Sequence, residues 1–252
     1  SALGIDILYL LRFYNELASM NGDNFIQRVL IEGLGVKHVV VGYDFAFGRG
    51  RSGNVALLEK YAGDRCYQVT QVRAAKSSAG VYSASLAREL LLKGEIEELT
   101  AVLGRLWEFE SYVRHGEQRG REIGFRTANL IVSGKLFPRH GVYAVWAALK
   151  NIEKNCWEWW PAVANLGCRP TFGLNQTLLE VHLIGFNKDI YGERLRVCFA
   201  AHIRAEKKFS GIDSLKQQIK RDTECAYNLL NHIDQPEFKE FITETSANRT
   251  ET

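Results

Sequence analysis

Around Gly104 the chain changes its hydrophobic period, and that change constrains the fold more than any single motif. Up to Leu103, short apolar runs alternate with segments of helical spacing; from Trp107 to His202, one short apolar or alternating segment follows another. The first pattern predicts an open α/β sheet, the second an antiparallel barrel. A chain of 252 residues has room for both. The expected organisation is an α/β domain over residues 1–103, a β-barrel with a closing helix over 104–235, and a tail over 236–252.

In the first domain Ile5–Leu11 predicts a strand, and Asn24–Leu34 a helix with Phe25, Val29, Leu30 and Leu34 on one face. His38–Gly42 is rich in β-branched apolar residues, the pattern of a strand covered on both faces in a parallel sheet. The glycine-rich loop Gly42–Asn54, with two arginines, then falls at the carboxyl edge of that sheet, where such folds bind ligands. A helix at Val55–Tyr61 and a strand near Tyr67–Val72 follow. Two further helices are expected, Ser83–Lys93 (capped by Ser83, ended by Gly94) and Ile96–Leu103. In the second domain Gly141–Leu149, Pro161–Leu166, Leu179–Leu183 and Arg194–Phe199 predict strands. Asp213–Leu230 predicts a helix with Leu215, Ile219, Ala226, Leu229 and Leu230 on one side.

Apolar residues make up 46% and charged residues 24%, a globular balance that excludes disorder over most of the chain. No uncharged apolar stretch reaches the roughly 18 residues of a membrane span, so no membrane partner is expected. Lys+Arg minus Asp+Glu is 32 − 29 = +3, without the dense basic stripe of a nucleic-acid binder. Arg49, Arg51, Arg119 and Arg121 lie in loops with no aromatic stacking platform, so nucleic acid is not expected as a partner either. The five cysteines form no Cys-x-x-Cys pair and read as reduced thiols of a cytoplasmic protein rather than a disulfide framework or zinc site.

The chemistry concentrates in two places. In His115–Leu130, Gly116, Gly120 and Gly124 allow close backbone approach to a ligand, Arg119 and Arg121 add fixed positive charge, and successive N–H groups can cradle phosphate. The same residues would equally suit a surface hairpin with incidental arginines. Thr127 and Asn129 are two apart, so an extended backbone points both the same way, and their oxygens suit Mg²⁺. Glu180 alternates with Leu179 and Val181 and so leaves the apolar face of its strand. On residue chemistry alone it reads first as an ordinary solvent-exposed glutamate and second as a base for phosphoryl transfer.

Several stretches together, in order, carry a resemblance: Val39 to Gly48; Arg119 to Asn129; Val163 to Gly173; Glu180-Val181-His182-Leu183; Asp189-Ile190-Tyr191-Gly192; and Ile203 to Phe209. With these the chain resembles the bacterial bifunctional riboflavin kinase/FMN adenylyltransferase (FAD synthetase) family over roughly residues 3–230. The resemblance implies a nucleotidyltransferase-type, Rossmann-like α/β domain that adenylylates FMN to FAD. It also implies a C-terminal barrel that phosphorylates riboflavin to FMN with ATP and Mg²⁺. It makes Glu180 the catalytic base, overriding the residue-level reading, and Thr127 and Asn129 the ligands of Mg²⁺ and the nucleotide phosphates. Gly116 and Arg121 are expected at the ATP phosphates, and Arg204, Glu206, Lys207 and Phe209 beside the flavin. In the first domain Gly42, Asp44, Phe45, Gly48, Ser83 and Arg88 are expected to bind nucleotide or flavin.

Three departures from the family pattern bear on activity. Arg126 stands where the family's Pro-Thr-Ala-Asn motif has proline, and the φ restraint of proline is lost. The family's His-x-Gly-His motif has no counterpart, so the first domain is expected to be incomplete at its N-terminus and to make little FAD. The family's Ser-Ser-Thr-x-Ile-Arg motif survives only partly, as Ser83 to Arg88. Thr127, Asn129 and Glu180 favour an enzyme; Arg126 favours the alternative, a flavin- or nucleotide-binding protein impaired in catalysis.

Overall fold

A computed structural model describes residues 4–63, 67–77, 80–116, 124–132, 136–151, 153–154, 156–171 and 174–236. By contact these divide into two units, one ending at Tyr82 and one beginning at Ser83. Arg119, Gly120, Arg121, Cys66 and the expected tail beyond Pro236 lie outside the described residues.

In the first unit, the short helices α1 (Asn15–Ser19) and α2 (Gly22–Asn24) precede a π-helical stretch, Phe25–Gly33, that continues directly from α2. The wide i→i+5 winding moves the buried stripe from the expected face. Ile26 is fully buried with Leu30 and Ile31 beside it, while Leu34 is exposed. Strand β1 (His38–Gly42), the short β2 (Ala46–Phe47) and β3 (Gly53–Asn54), helix α3 (Val55–Gly63) and strand β4 (Gln68–Val72) follow. β1 and β4 pair in parallel, as expected, from His38↔Gln68 to Gly42↔Val72. They are not covered on both faces: Val39 and Val41 pack on the small core of Ile26, Leu58 and Tyr67, but Val40 is 61% exposed. The predicted strand at Ile5–Leu11 does not form. The segment has no regular structure and its apolar side chains are exposed. A strand is stabilised by a ladder and a covered face, and β1 and β4 form a two-stranded sheet. The hairpin of β5 (Lys76–Ser77) and β6 (Gly80–Val81) ends the unit.

The second unit opens with α4 (Ala84–Lys93), whose N-cap Ser83 accepts a hydrogen bond from the Leu86 amide at 3.1 Å. Gly94 ends it in the left-handed conformation (φ 73°), and α5 (Ile96–Leu103) follows. These two helices, which the sequence pattern grouped with the α/β domain, pack with the barrel: Ile96 belongs to its interior cluster, and Trp107 packs on Leu90, Leu91 and Leu99. The strands are β7 (Trp107–Arg114), β8 (Ala128–Ile131), β9 (Gly141–Asn151), β10 (Cys156–Thr171), β11 (Leu174–Leu183) and β12 (Arg194–Arg204). They close into an antiparallel barrel in the order β10-β11-β8-β7-β12-β9.

The uninterrupted apolar run in β9 has a simple cause. Tyr143, Val145, Ala147 and Leu149 point into the barrel, while Val142, Ala144 and Trp146 point out, beneath the C-terminal helix α6 (Ile212–Leu230). Ala226 and Leu230 of α6 close that outer cluster. A strand buried on both faces thus occurs here in an antiparallel barrel, because one helix covers its outside.

Candidate active site

Strand register builds the site. Arg114 of β7 pairs with Asn129 of β8, Asn129 with Glu180 of β11, Glu180 with Asn165 of β10, Asn165 with Val142 of β9, and Val142 with Arg204 of β12. Directly paired residues share a face of the sheet. Their chain neighbours Leu130, Leu179, Val181, Ala164, Leu166 and Tyr143 fill the barrel interior. The row therefore lies on the outside of the barrel. Irregularities between Phe199 and Ala201 and between His202 and Arg204 set the register that puts Arg204 opposite Val142.

Over this row lies a cavity of about 330 Å³. Thr127, Asn165, Glu180, His182, Arg204, Glu206 and Lys207 supply its polar wall; Val142, Val163, Phe209, Leu215 and Ile219 supply its apolar wall. The base candidate and all four expected flavin-side residues thus come together. Gly167 explains part of the closure: a Cβ there would stand 2.2 Å from Glu206 Oε1, so the glycine admits the Glu206 carboxylate. The other oxygen of that carboxylate lies 3.7 Å from His140 Nδ1.

A smaller cavity, about 80 Å³, sits on the other side of Thr127, which lines both. Its wall includes Arg126, Asn129, Lys188, Asp189 and Tyr191, and Tyr191 stacks on His115 with ring centroids 3.9 Å apart. Asn129 is buried (6% exposed), and among the described residues its Oδ1 has no hydrogen-bond partner. Its amide nitrogen faces the Thr127 carbonyl at 3.5 Å. A buried acceptor left open in this way suits a hard cation such as Mg²⁺, which binds through few protein oxygens and shares the rest of its shell with water and phosphate. Gly116 touches this group directly: a Cβ there would lie 2.4 Å from Asn129 Nδ2. Among the described residues no cluster of three or more His, Cys, Asp or Glu side chains could hold a metal.

Two features of the site had no part in the sequence expectations. Arg204 turns its guanidinium onto Asp222 of α6, with Nε at 3.0 and 3.1 Å and Nη2 at 2.7 Å, and Gln218 donates to the same carboxylate at 2.9 Å. Asp222 is 3% exposed. Arg204 therefore anchors α6 beside the cavity, its guanidinium carbon 5.8 Å from the centre of the Phe209 ring. The signal was present in the sequence: Asp222 continues the Leu215, Ile219, Ala226 stripe, and a carboxylate on a buried stripe calls for a cation. The second feature is how Arg126 is held: its Nη1 donates to the Asn187 carbonyl at 3.3 Å, and its own carbonyl accepts from His182 Nδ1 at 2.8 Å.

The first-unit residues sit differently. Gly48 (φ 73°) lies against the start of α2, where a Cβ would meet the Gly22 nitrogen at 2.6 Å. Ser52 Oγ accepts from the Gly22 amide at 2.9 Å, and Phe45 stacks on Phe47. Gly42 ends β1, and Asp44 stands next to it with Oδ1 3.4 Å from the Gly42 Cβ direction. Gly42, Asp44, Phe45 and Gly48 thus form one compact loop of the first unit. Ser83, spent as a helix cap, and the exposed Arg88 belong to the second.

A riboflavin kinase family model matches residues 103–230, and an FAD synthetase family model matches residues 1–85. The bifunctional riboflavin kinase/FMN adenylyltransferase of Escherichia coli is 36% identical over 219 residues, covering 87% of this chain and 68% of that protein. The chain belongs to this family. Its Haemophilus influenzae member is also 36% identical, over 227 residues, covering 90% of this chain and 72% of that one. A crystal structure described as a macrolide-efflux protein from Streptococcus pneumoniae shares the fold, with a TM-score of 0.80 at 31% identity, covering 89% of this chain and 71% of that one. Among the described residues of this family member, no helix is long and apolar enough to cross a membrane.

Proposed function

We propose that the barrel unit transfers the γ-phosphoryl group of ATP to riboflavin, giving FMN and ADP. The observation that carries the reading is the shared wall: Thr127 lines both cavities, and Glu180 lines the larger one. The larger cavity, with its apolar side of Val142, Val163, Phe209 and Ile219, suits a flat flavin ring. The smaller, with Lys188 and Asn129, suits the phosphates of ATP.

In this scheme the Glu180 carboxylate takes the proton of the terminal ribityl hydroxyl as that oxygen bonds to the γ-phosphorus. The bond from the γ-phosphorus to the bridging oxygen breaks, and its electron pair leaves on ADP. Thr127 and Asn129 would hold Mg²⁺, which supplies neutralising charge at the phosphates. Arg204, through Asp222, fixes the wall from which Glu206, Lys207 and Phe209 face the flavin. Gly116 keeps the space that the Asn129 side chain needs, and Arg121 is assigned to the phosphates from the family pattern.

For the first unit we propose the second step. A phosphate oxygen of FMN attacks the α-phosphorus of ATP, pyrophosphate leaves, and FAD forms, with Gly42, Asp44, Phe45 and Gly48 at the ligand edge. The match to the FAD synthetase model and the position of the loop at the carboxyl end of a parallel strand support it. The four described cysteines are free, which accords with a cytoplasmic home. Incubation with riboflavin, ATP and Mg²⁺, followed by chromatographic separation of riboflavin, FMN and FAD, tests both steps at once. FMN formation is expected, and its absence would refute the kinase assignment.

A further inference from the structure

We infer that His182 is a positioning residue for the Mg²⁺-binding segment: its imidazole holds the chain before Thr127 where the β8 ladder no longer can. The inference rests on the kinase reading above and adds a residue to it. β8 pairs with β11 only from Ile131↔Leu178 to Val181↔Ala128, and with β7 only at Val113↔Leu130 and Arg114↔Asn129. Arg126 and Thr127 therefore lie just beyond the ladder. His182 is the next residue of β11 after Val181, and its side chain takes over. The Arg126 carbonyl accepts from Nδ1 at 2.8 Å, and the Phe125 ring meets the imidazole edge to face, centroids 5.5 Å apart. Donation from Nδ1 to a carbonyl fixes which ring nitrogen carries the proton in the neutral form. On the other side of the segment, the Arg126 guanidinium donates to the Asn187 carbonyl.

The consequence is geometric. Glu180 and His182 are two apart on β11 and share a face. One rigid strand thus carries the proposed base and the tether of the segment that bears Thr127, so base and cation ligands are held in one frame. The backbone of this chain lacks the stiffness that proline would give at residue 126, and the His182 bond supplies a restraint at that same residue.

The test compares the parent with His182→Leu, which removes the donor, and His182→Asn, whose side-chain amide can donate from nearly the same place as Nδ1. Titration calorimetry with Mg·ADP and hydrogen exchange of the peptide covering residues 124–130 without ligand are the readouts. One hydrogen bond of ordinary net strength corresponds to about three- to tenfold in affinity. His182→Leu is expected to weaken Mg·ADP by that factor and to speed exchange in 124–130. His182→Asn should restore most of both. Equal losses in Leu and Asn, or exchange in 124–130 that ignores the substitution, would overturn the assignment. If the parent protein forms no FMN while exchange still follows the donor, the kinase reading fails and the tether stands.

Discussion

Leu179, Val181, Leu195, Val197 and Phe199 are completely enclosed in the barrel, whereas Val40, in the middle of the parallel strand pair of the first unit, is 61% exposed. The barrel closes on itself and has no free edge. Among the described residues its interior is one cluster of eighteen buried residues, against three in the first unit, Ile26, Leu58 and Tyr67. The site follows the same contrast. In the barrel, Asn129, Glu180, Asn165 and Arg204 are placed by strand register. In the first unit, the glycine-rich loop is placed by backbone contacts of Gly48 and Gly53 with α2 and with the Phe47 ring. A register is a rigid frame that tolerates changes of side chain; a glycine contact is a fit that one methyl group disturbs.

The sharpest separation of the two units comes from Glu180→Gln. It keeps the shape of the side chain and removes the base, so FMN formation should fall by ~10²–10⁴. Whatever conversion of supplied FMN to FAD the parent shows should be unaffected. Separate chromatographic assays of the two steps check this, and an equal fall in both would break the division of labour.

Next in size is the Arg204–Asp222 pair. Arg204→Met leaves the buried Asp222 carboxylate with Gln218 as its remaining partner among the described residues, and loss of one partner of a buried pair typically costs ~3–5 kcal/mol. All five tryptophans, Trp107, Trp146, Trp157, Trp159 and Trp160, lie in the barrel unit, so denaturation followed by tryptophan fluorescence reads that unit alone. Arg204→Met with Asp222→Leu should recover most of the loss. If the single variant is as stable as the parent, the pair does not anchor α6.

Gly48→Ala asks the complementary question of the first unit. At φ 73° with the Gly22 nitrogen 2.6 Å from the new Cβ, it should cost more than Gly35→Ala, which has φ 57° but open space around it. The left-handed conformation alone is worth ~1–2 kcal/mol, and the contact adds to that for Gly48 only. Hydrogen exchange in β1 and β4 is the measurement, and tryptophan fluorescence should not change.

Legibility in the sequence follows the same divide. The strands at Gly141 and Arg194, the Ser83 cap, the Gly94 stop and the helix Ile96–Leu103 could all be read, because each depends on local chemistry or on strict alternation against a filled interior. Glu180 could be placed on the outer face for that reason. Ile5–Leu11 could not be read correctly, since an apolar run does not reveal whether a ladder awaits it. The buried stripe of Phe25–Gly33 was misplaced because the 3.6-residue period does not hold in a π-helical stretch. The partners of Arg204 and Arg126, namely Asp222, Asn187 and His182, are 18, 61 and 56 residues away. Only the closing of the barrel and the docking of α6 bring them together.

The smallest expected effect concerns His202, on β12 beside Tyr143. Its pKa is lowered from the ordinary 6.5, first by burial and then by the Arg139 guanidinium, with the Arg204 carbonyl pulling weakly the other way. Geometry agrees: Arg139 Nη2 lies 3.2 Å from His202 Nδ1, and since a guanidinium can only donate, Nδ1 must accept and carry no proton. The folded protein thus binds this proton less well than the unfolded chain. Above the unfolded value of 6.5 both states are neutral here and His202 adds no pH dependence. As pH falls below 6.5 the unfolded state protonates first, so stability is lost until the folded pKa is also passed. The imidazole is only partly buried, so the loss is small. Replacing it with Gln, which can still accept from Arg139, removes the titration. Denaturation midpoints by tryptophan fluorescence between pH 7.5 and about 5 should therefore fall slightly more for the parent than for His202→Gln. Parallel pH profiles would show that the barrel does not hold this imidazole neutral.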